Sequence, residues 1–350
     1  MSPLGHGPRA RQVRTRAGAV RPRPVLPPEQ GRDPLLGYDC IQTGDEVTMR
    51  VPDRPSGFTS DAARDKYHAA YDRLLRELWP VPVDAFDVET RAGSVRAYRA
   101  GPVEGDPVVL VAGAGGNALA WYQYVEPLAR TRPVLVLDPL GEPGRSVQTR
   151  PLESGATVGG WITDVLVAAG AERAHLVGFS AGAWAAVEQQ RGGGGRVAAL
   201  TLVDPGGFGP ITGRFLRWAV VGAVCSMLPR VLRHRLAGVA GNGVLREDAL
   251  IELMRLGFSY RRRVPVPPVY TDEQLRELTV PVQVLLGARS TLLDARAVAA
   301  RLADVVPSWR VEIVPGTGHS LSVEAADLVI ERILGFPRQA RPAGAAPAHG

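Results

Sequence analysis

Cysteine and long apolar runs are both scarce in this 350-residue chain. Its two cysteines, Cys40 and Cys225, are too few for a disulfide framework, and neither belongs to a C-x-x-C or other metal-ligand spacing. The longest apolar segment, from Trp218 to Leu228, is too short to span a bilayer as a helix. No apolar core segment follows the basic start, as it would in a secretory signal. We therefore expect a cytoplasmic protein with no membrane partner and no metal site.

Acidic residues are nearly absent from the first 30 positions, where Glu29 stands against six arginines. This segment accounts for most of the net charge of +6, so the rest of the chain is nearly neutral. Residues 1–55 are rich in proline and glycine and have no repeating apolar face, and such segments cannot bury enough apolar surface to fold. We predict a disordered extension over 1–55 and a disordered tail over 337–350. Contact of the arginines with nucleic acid or anionic lipid is the alternative, but we expect no nucleic-acid partner.

From Ser60 onward, helical and strand patterns alternate. Ser60 can cap a helix that ends at Trp79-Pro80, and continuous apolar runs such as VVLVA and VLVLD are typical of strands buried on both faces of a parallel sheet. The predicted strands are Phe86–Thr90, Val95–Arg99, Val108–Ala112, Val134–Asp138, Ala174–Phe179, Val197–Val203, Val282–Leu286 and Trp309–Val314. The pattern predicts an α/β fold, a mostly parallel eight-stranded sheet flanked by helices.

The interval 206–278 breaks this alternation, because it has helical patterning and no predicted strand. It lies between the sixth and seventh strands, so we predict a helical lid inserted there, over the carboxyl edge of the sheet. The core then consists of a first part over 60–205 and a second part over 279–336.

A serine stands between two glycines in the stretch LVGFSAG, from Leu176 to Gly182. The pattern G-x-S-x-G directly follows an apolar strand and directly precedes a helix of small residues. On such a strand-to-helix turn, the backbone is strained, the serine hydroxyl is lifted clear of the sheet, and the helix amino end favours negative charge. Ser180 is therefore the candidate nucleophile, and Gly178 and Gly182 are predicted to be small because strand and helix pack closely there.

A nucleophilic serine needs a base and donors for the oxyanion. Of six histidines, only His319 lies on a loop between the last predicted strand and the last helix, at the same sheet edge as Ser180. Ala181, the residue after the serine, can supply one backbone N–H. Ala114, in the glycine-rich loop GAGGN, is the candidate second donor; the loop lacks the lysine of a phosphate-binding loop.

The order of these motifs resembles the α/β-hydrolase superfamily over residues 80–336, and more closely its bacterial serine carboxylesterases. The matching pieces are AYDRLLRELWPVP, YTDEQLRELTVPVQVLLG and GTGHSLSVE. The resemblance implies hydrolysis of carboxylic esters through an acyl-serine intermediate, with a small-molecule substrate and without metal or cofactor. It also implies a triad acid, and at the usual position in the loop Gly287-Ala288-Arg289-Ser290 this sequence has a serine.

Three substitutes for that acid are open. Asp204, at the end of the strand VAALTLVD, occupies a place that some α/β-hydrolases use for their acid. Asp294 is near in sequence but also suits the cap of the following helix. Ser290 itself could orient the imidazole as a neutral partner. Beside ester hydrolysis, the alternatives are amide, lactone or carbon–carbon bond hydrolysis on the same fold, or a catalytically weakened binding protein.

Overall fold

The structure is a computed structural model that describes residues 30–32, 39–43, 46–49, 53–79, 81–193 and 195–339. The strands are β1 (Gln30–Arg32), β2 (Asp39–Thr43), β3 (Glu46–Met49), β4 (Gly57–Phe58), β5 (Asp84–Thr90), β6 (Gly93–Ala100), β7 (Val108–Val111), β8 (Val134–Leu137), β9 (Val147–Gln148), β10 (Ala174–Phe179), β11 (Val197–Val203), β12 (Tyr260–Arg261), β13 (Val282–Gly287) and β14 (Arg310–Val314). The α-helices are α1 (Asp61–Leu78), α2 (Tyr122–Ala129), α3 (Gly155–Ala168), α4 (Ala181–Arg191), α5 (Gly213–Ser226), α6 (Arg230–Val239), α7 (Asp248–Gly257), α8 (Asp272–Arg276), α9 (Ala295–Val305), α10 (Leu321–Glu324) and α11 (Ala326–Gln339). Short 3₁₀ helices span Ala118–Trp121 and Gly243–Arg246.

Helix α1 begins and ends where its sequence predicts. The Ser60 side chain accepts a hydrogen bond from the Ala63 N–H, which satisfies one of the free donors of the first turn. Tyr67, Tyr71 and Leu74 lie on one face at helical spacing and are buried against the sheet.

The main sheet has the order β14-β13-β11-β10-β7-β8-β6-β5. Strands β14 through β8 along this path pair in parallel, and β6 and β5 add in antiparallel orientation. All eight predicted strands are present, which confirms the predicted α/β-hydrolase fold class. The strand number was one too low, because β9 pairs with β6 and makes the sheet nine-stranded. A two-residue strand is too short to produce an alternating pattern.

Helices cover both faces of the sheet. One face packs against α3, α4 and α9, through side chains such as Trp161, Trp184 and Leu302. The other packs against α1, α2 and α11, through side chains such as Leu128 and Ile333. Burial on both faces explains why the central strands read as continuous apolar runs.

The segment between β11 and β13 is mostly helical. It carries α5 to α8 and has a small core of its own, formed by Cys225, Ala237, Leu245 and Ile251. The expectation that 206–278 contains no strand was wrong at β12, which pairs antiparallel with β4. A two-residue strand again leaves no periodic signal. The pairing joins the last part of the insertion, from β12 to residue 278 (its return arm), to the segment that precedes α1.

The terminal segments differ in part from the prediction. Inside 1–55, which the sequence predicts to be disordered, β1, β2 and β3 form an antiparallel three-stranded sheet. Gly44-Asp45 separates β2 from β3, and such a two-residue pair is a hairpin signal. Helix α11 runs on to Gln339, beyond the predicted core boundary at 336, and the remainder of the predicted tail lies outside the described residues. None of the helices within the described residues is long and apolar enough to cross a membrane.

Candidate active site

Ser180 occupies a strained turn between β10 and α4. Its φ of 54° and ψ of −116° lie in a region that residues other than glycine rarely adopt. A Cβ on Gly182 would overlap the carbonyl oxygens of Val111 and Ala112, and a Cβ on Gly178 would overlap the backbone of Ala183. Both flanking glycines are therefore required by close packing of strand and helix, as predicted.

Asp204 and His319 are in direct contact. The Oδ2 atom of Asp204, at the end of β11, lies 2.6 Å from Nδ1 of His319, on the loop after β14. Both residues are buried, Asp204 completely. Because a carboxylate oxygen can only accept, the proton of the ring is on Nδ1, and Nε2 is left free to accept a proton from elsewhere.

The two other candidates for the place of the triad acid, Ser290 and Asp294, bind other groups. The Ser290 hydroxyl donates a 2.6 Å hydrogen bond to Asp204 Oδ2, and the Gly287 N–H donates to Asp204 Oδ1 over 3.0 Å. Asp294 accepts from the N–H groups of Arg296 and Ala297 at the start of α9, so its carboxylate serves as a helix cap. Of the three, only Asp204 has a hydrogen bond to the imidazole among the described residues.

His319 contacts the residue that precedes Ser180 and has no hydrogen bond to Ser180 itself. Among the hydrogen bonds of the described residues there is none between the Ser180 hydroxyl and the imidazole. The contact is made by Phe179, whose ring centroid lies 5.1 Å from that of His319. Hydrogen bonds between catalytic groups are often long in the absence of substrate and tighten in the reacting complex.

The glycine-rich loop after β7 reaches the serine. A Cβ on Gly113 would lie 3.1 Å from Ser180 Cβ, so the backbone of this loop passes directly beside the nucleophile. The loop then turns, with the Gly116 N–H donating to the Gly113 carbonyl over 3.0 Å. Ala114 is exposed within this turn, and Ala181 is the first residue of α4. Their roles as oxyanion donors stay predictions.

Rings from the helical insertion cover the imidazole. Phe215 and Trp218 of α5 meet the His319 ring edge-on, with centroid distances of 5.3 and 5.4 Å. The Trp218 indole N–H donates to the Gly241 carbonyl over 2.9 Å, which fixes the orientation of this ring. The insertion therefore lies over His319 and supplies an apolar wall.

Sequence reasoning missed a buried charge pair beneath the glycine-rich loop. Glu142 accepts from the Gly115 N–H over 2.7 Å and from Arg262 Nε over 2.6 Å. Nothing in the loop DPLGEPGRS marks this glutamate as buried, and its partner is 120 positions away in the sequence. The hydrogen bond from the Gly287 N–H to Asp204 was also missed, because a backbone donor leaves no residue type to recognise.

No metal centre is apparent, because the described residues contain no group of three or more His, Cys, Asp or Glu side chains placed to hold an ion. The other buried histidine, His175 on β10, lies with Nε2 2.8 Å from the Thr201 hydroxyl. Burial lowers the pKa of His175 to about 3, so this ring is neutral and structural.

Comparisons with known proteins find similar sequences and similar folds. Carboxylesterase YbfK of Bacillus subtilis is 27% identical over 288 residues, which cover 77% of this chain and 93% of that protein. Naproxen esterase of Bacillus subtilis superposes with a TM-score of 0.68 at 24% identity, covering 79% of this chain and 98% of that one. Esterase RhEst1 of Rhodococcus superposes with a TM-score of 0.59 at 25% identity, covering 74% and 99%. The model of the alpha/beta hydrolase family matches residues 108–332. The chain therefore belongs to the alpha/beta hydrolase family.

Proposed function

We propose that this protein is a serine carboxylesterase that cleaves small apolar carboxylic esters through an acyl-serine intermediate. The observation that carries the proposal is the 2.6 Å contact between Asp204 and His319. It is supported by Ser180, which is held at a positive φ directly after Phe179, whose ring centroid lies 5.1 Å from that of His319. An oriented imidazole next to a strained, glycine-flanked serine suits acyl transfer. The relative named carboxylesterase YbfK supports ester hydrolysis as the reaction.

In the proposed mechanism, Ser180 Oγ attacks the ester carbonyl carbon while His319 Nε2 takes its proton. The tetrahedral intermediate collapses, the alcohol leaves with the proton from the imidazolium, and an acyl-serine remains. Water then attacks the acyl group, again with His319 as base, and releases the acid. Asp204 keeps the ring in the required tautomer and stabilises its cationic form, and the Ala114 and Ala181 amides hold the oxyanion.

The expected substrate is an ester with an apolar group near the reacting carbonyl. Phe215 and Trp218 place apolar rings against His319. The proposed partner is a small-molecule ester. No nucleic-acid or membrane partner is proposed, and the cytoplasmic location stays a prediction.

Short p-nitrophenyl esters test the proposal. The wild-type protein is expected to release p-nitrophenol with an initial burst, and Ser180→Ala is expected to be inactive. A fluorophosphonate probe should label the wild type at Ser180 and leave Ser180→Ala unlabelled. Undiminished hydrolysis by Ser180→Ala would refute the proposal.

Two alternatives to ester hydrolysis were open: a binding protein on the same fold, and hydrolysis of another kind of bond. The alternative of a catalytically weakened binding protein depends on Ser290 at the usual acid position, and the contact between Asp204 and His319 weighs against it. Amide, lactone or carbon–carbon bond hydrolysis would use the same groups. A panel of matched esters, amides and lactones separates these reactions, and we expect the ester to give the highest kcat/KM.

A further inference from the structure

The turn that carries Ala114 is held by a side chain from another loop. Gly115, the next residue, has a φ of 75° and donates its N–H to Glu142 Oε2 over 2.7 Å. Glu142 belongs to the loop after β8 and is only 4% exposed. The peptide group between Ala114 and Gly115 is therefore fixed by a charge-assisted hydrogen bond, which is about twice as strong as a neutral one.

The second oxygen of Glu142 is bound to the insertion. Arg262 Nε lies 2.6 Å from Glu142 Oε1, and the two side chains are 14% and 5% exposed. Arg262 directly follows β12. Two residues later, the Val264 side chain packs so closely on Gly141 that a Cβ at that glycine would overlap it. One ion pair thus joins three segments: the glycine-rich loop, the loop after β8 and the return arm of the insertion.

Burying this ion pair carries a desolvation penalty. Burial raises the pKa of the Glu142 carboxyl and lowers the pKa of Arg262, so burial opposes the charged form of both side chains. An apolar contact would stabilise the fold at lower cost. The pair lines a small cavity together with Ala181 and Gly182, at the start of α4. Ala181, one of the two predicted oxyanion donors, therefore borders the same cavity as the pair.

We propose that Glu142 and Arg262 are positioning residues, which hold the turn at Gly115 so that the N–H of the preceding residue, Ala114, points at the oxyanion of the transition state. The inference rests on the proposed function for its kinetic consequence. An amide that acts only in the transition state affects kcat and leaves substrate binding unchanged. Loss of an entire oxyanion donor costs about 10²–10³-fold in kcat, and a misdirected donor should cost about 10–100-fold.

Glu142→Ala tests this, with Glu188→Gln as the matched control. Glu188 is also a buried glutamate, 7% exposed and paired with Arg191, but it bonds Tyr270 and does not touch the glycine-rich loop. In Glu142→Ala, kcat for a p-nitrophenyl ester should fall about 10–100-fold with KM within about twofold. A trifluoromethyl ketone, whose adduct with serine carries the oxyanion, should lose affinity by the same factor. Glu142→Gln keeps an acceptor for the Gly115 N–H and should recover part of both losses. If Glu142→Ala does not fold, Glu142→Gln and Arg262→Met are compared instead.

Hydrogen–deuterium exchange separates failure of this inference from failure of the proposed function. Exchange in the peptide that contains residues 113–117 should rise in Glu142→Ala and stay at the wild-type level in Glu188→Gln, whatever the wild type hydrolyses. Unchanged exchange there would overturn the positioning role, as would a kcat loss of equal size in Glu188→Gln. Absence of esterase activity in the wild type would instead overturn the proposed function.

Discussion

Ser290 and His319 bind the same oxygen atom of Asp204. The serine hydroxyl and the imidazole Nδ1 each lie 2.6 Å from Oδ2, and the Gly287 amide occupies the other oxygen. Where the resemblance implies a carboxylic acid, this chain has a hydroxyl that donates to a carboxylate on the neighbouring strand. The carboxylate that contacts His319 thus comes from the end of β11, and Ser290, which follows the neighbouring strand β13, donates to it.

Removal of the supporting hydroxyl should have a modest kinetic effect. We expect Ser290→Ala to lower kcat by about 2–10-fold, because one hydrogen bond to a charged group contributes about 1.5–3 kcal/mol at most and Gly287 remains. The measurement is steady-state hydrolysis of a p-nitrophenyl ester, with the exposed Ser308→Ala as control. A loss as large as that caused by removal of Asp204 would contradict the supporting role.

Asp204 and Asp294 should respond very differently to the same substitution. Asp204→Asn removes the charge beside His319 and favours the wrong tautomer, so kcat should fall by about 10²–10⁴-fold. Asp294→Asn should leave kcat within about twofold, because asparagine caps a helix as well as aspartate does. Thermal unfolding of both variants checks that they are folded. Equal activities in the two variants would exclude Asp204 as the triad acid.

The glycine beside the nucleophile should not accept a side chain. In Gly182→Ala, the new Cβ overlaps the carbonyl oxygens that end β7, so the free energy of unfolding should fall by about 2 kcal/mol or more and activity should be lost. Gly160 is the control, since it lies in α3 with no atom within 4 Å of its Cβ position. Gly160→Ala should raise the free energy of unfolding by about 0.5–1 kcal/mol. Chemical denaturation of both variants measures the difference.

Acid should destabilise the fold through His175. Its pKa is about 3 in the folded chain and about 6.5 when unfolded, so the unfolded state binds the proton first as the pH falls. The stabilisation is complete above pH about 6.5 and is lost progressively down to pH about 3, with a slope of up to about 1.4 kcal/mol per pH unit. Urea unfolding at pH 7, 6, 5 and 4 should therefore show a shallower dependence for His175→Gln. Identical slopes for the two proteins would contradict this.

How far the sequence predicts the site depends on how local each signal is. The serine turn is encoded within seven residues, Leu176 to Gly182, and so could be read directly. Strands buried on both faces were equally plain. Asp204 could only be ranked among three candidates, because its contact with His319 spans 115 positions and exists only because β11 pairs with β13, which pairs with β14. Glu142 gave no signal at all, since burial of its charge depends on Arg262 from the insertion.

The two rings that face His319 belong to one helix, α5. Phe215 and Trp218 both contact the His319 ring, so any substitution that shifts α5 alters both contacts at once. The surroundings of the imidazole are therefore coupled to the packing of a helix that lies outside the main sheet.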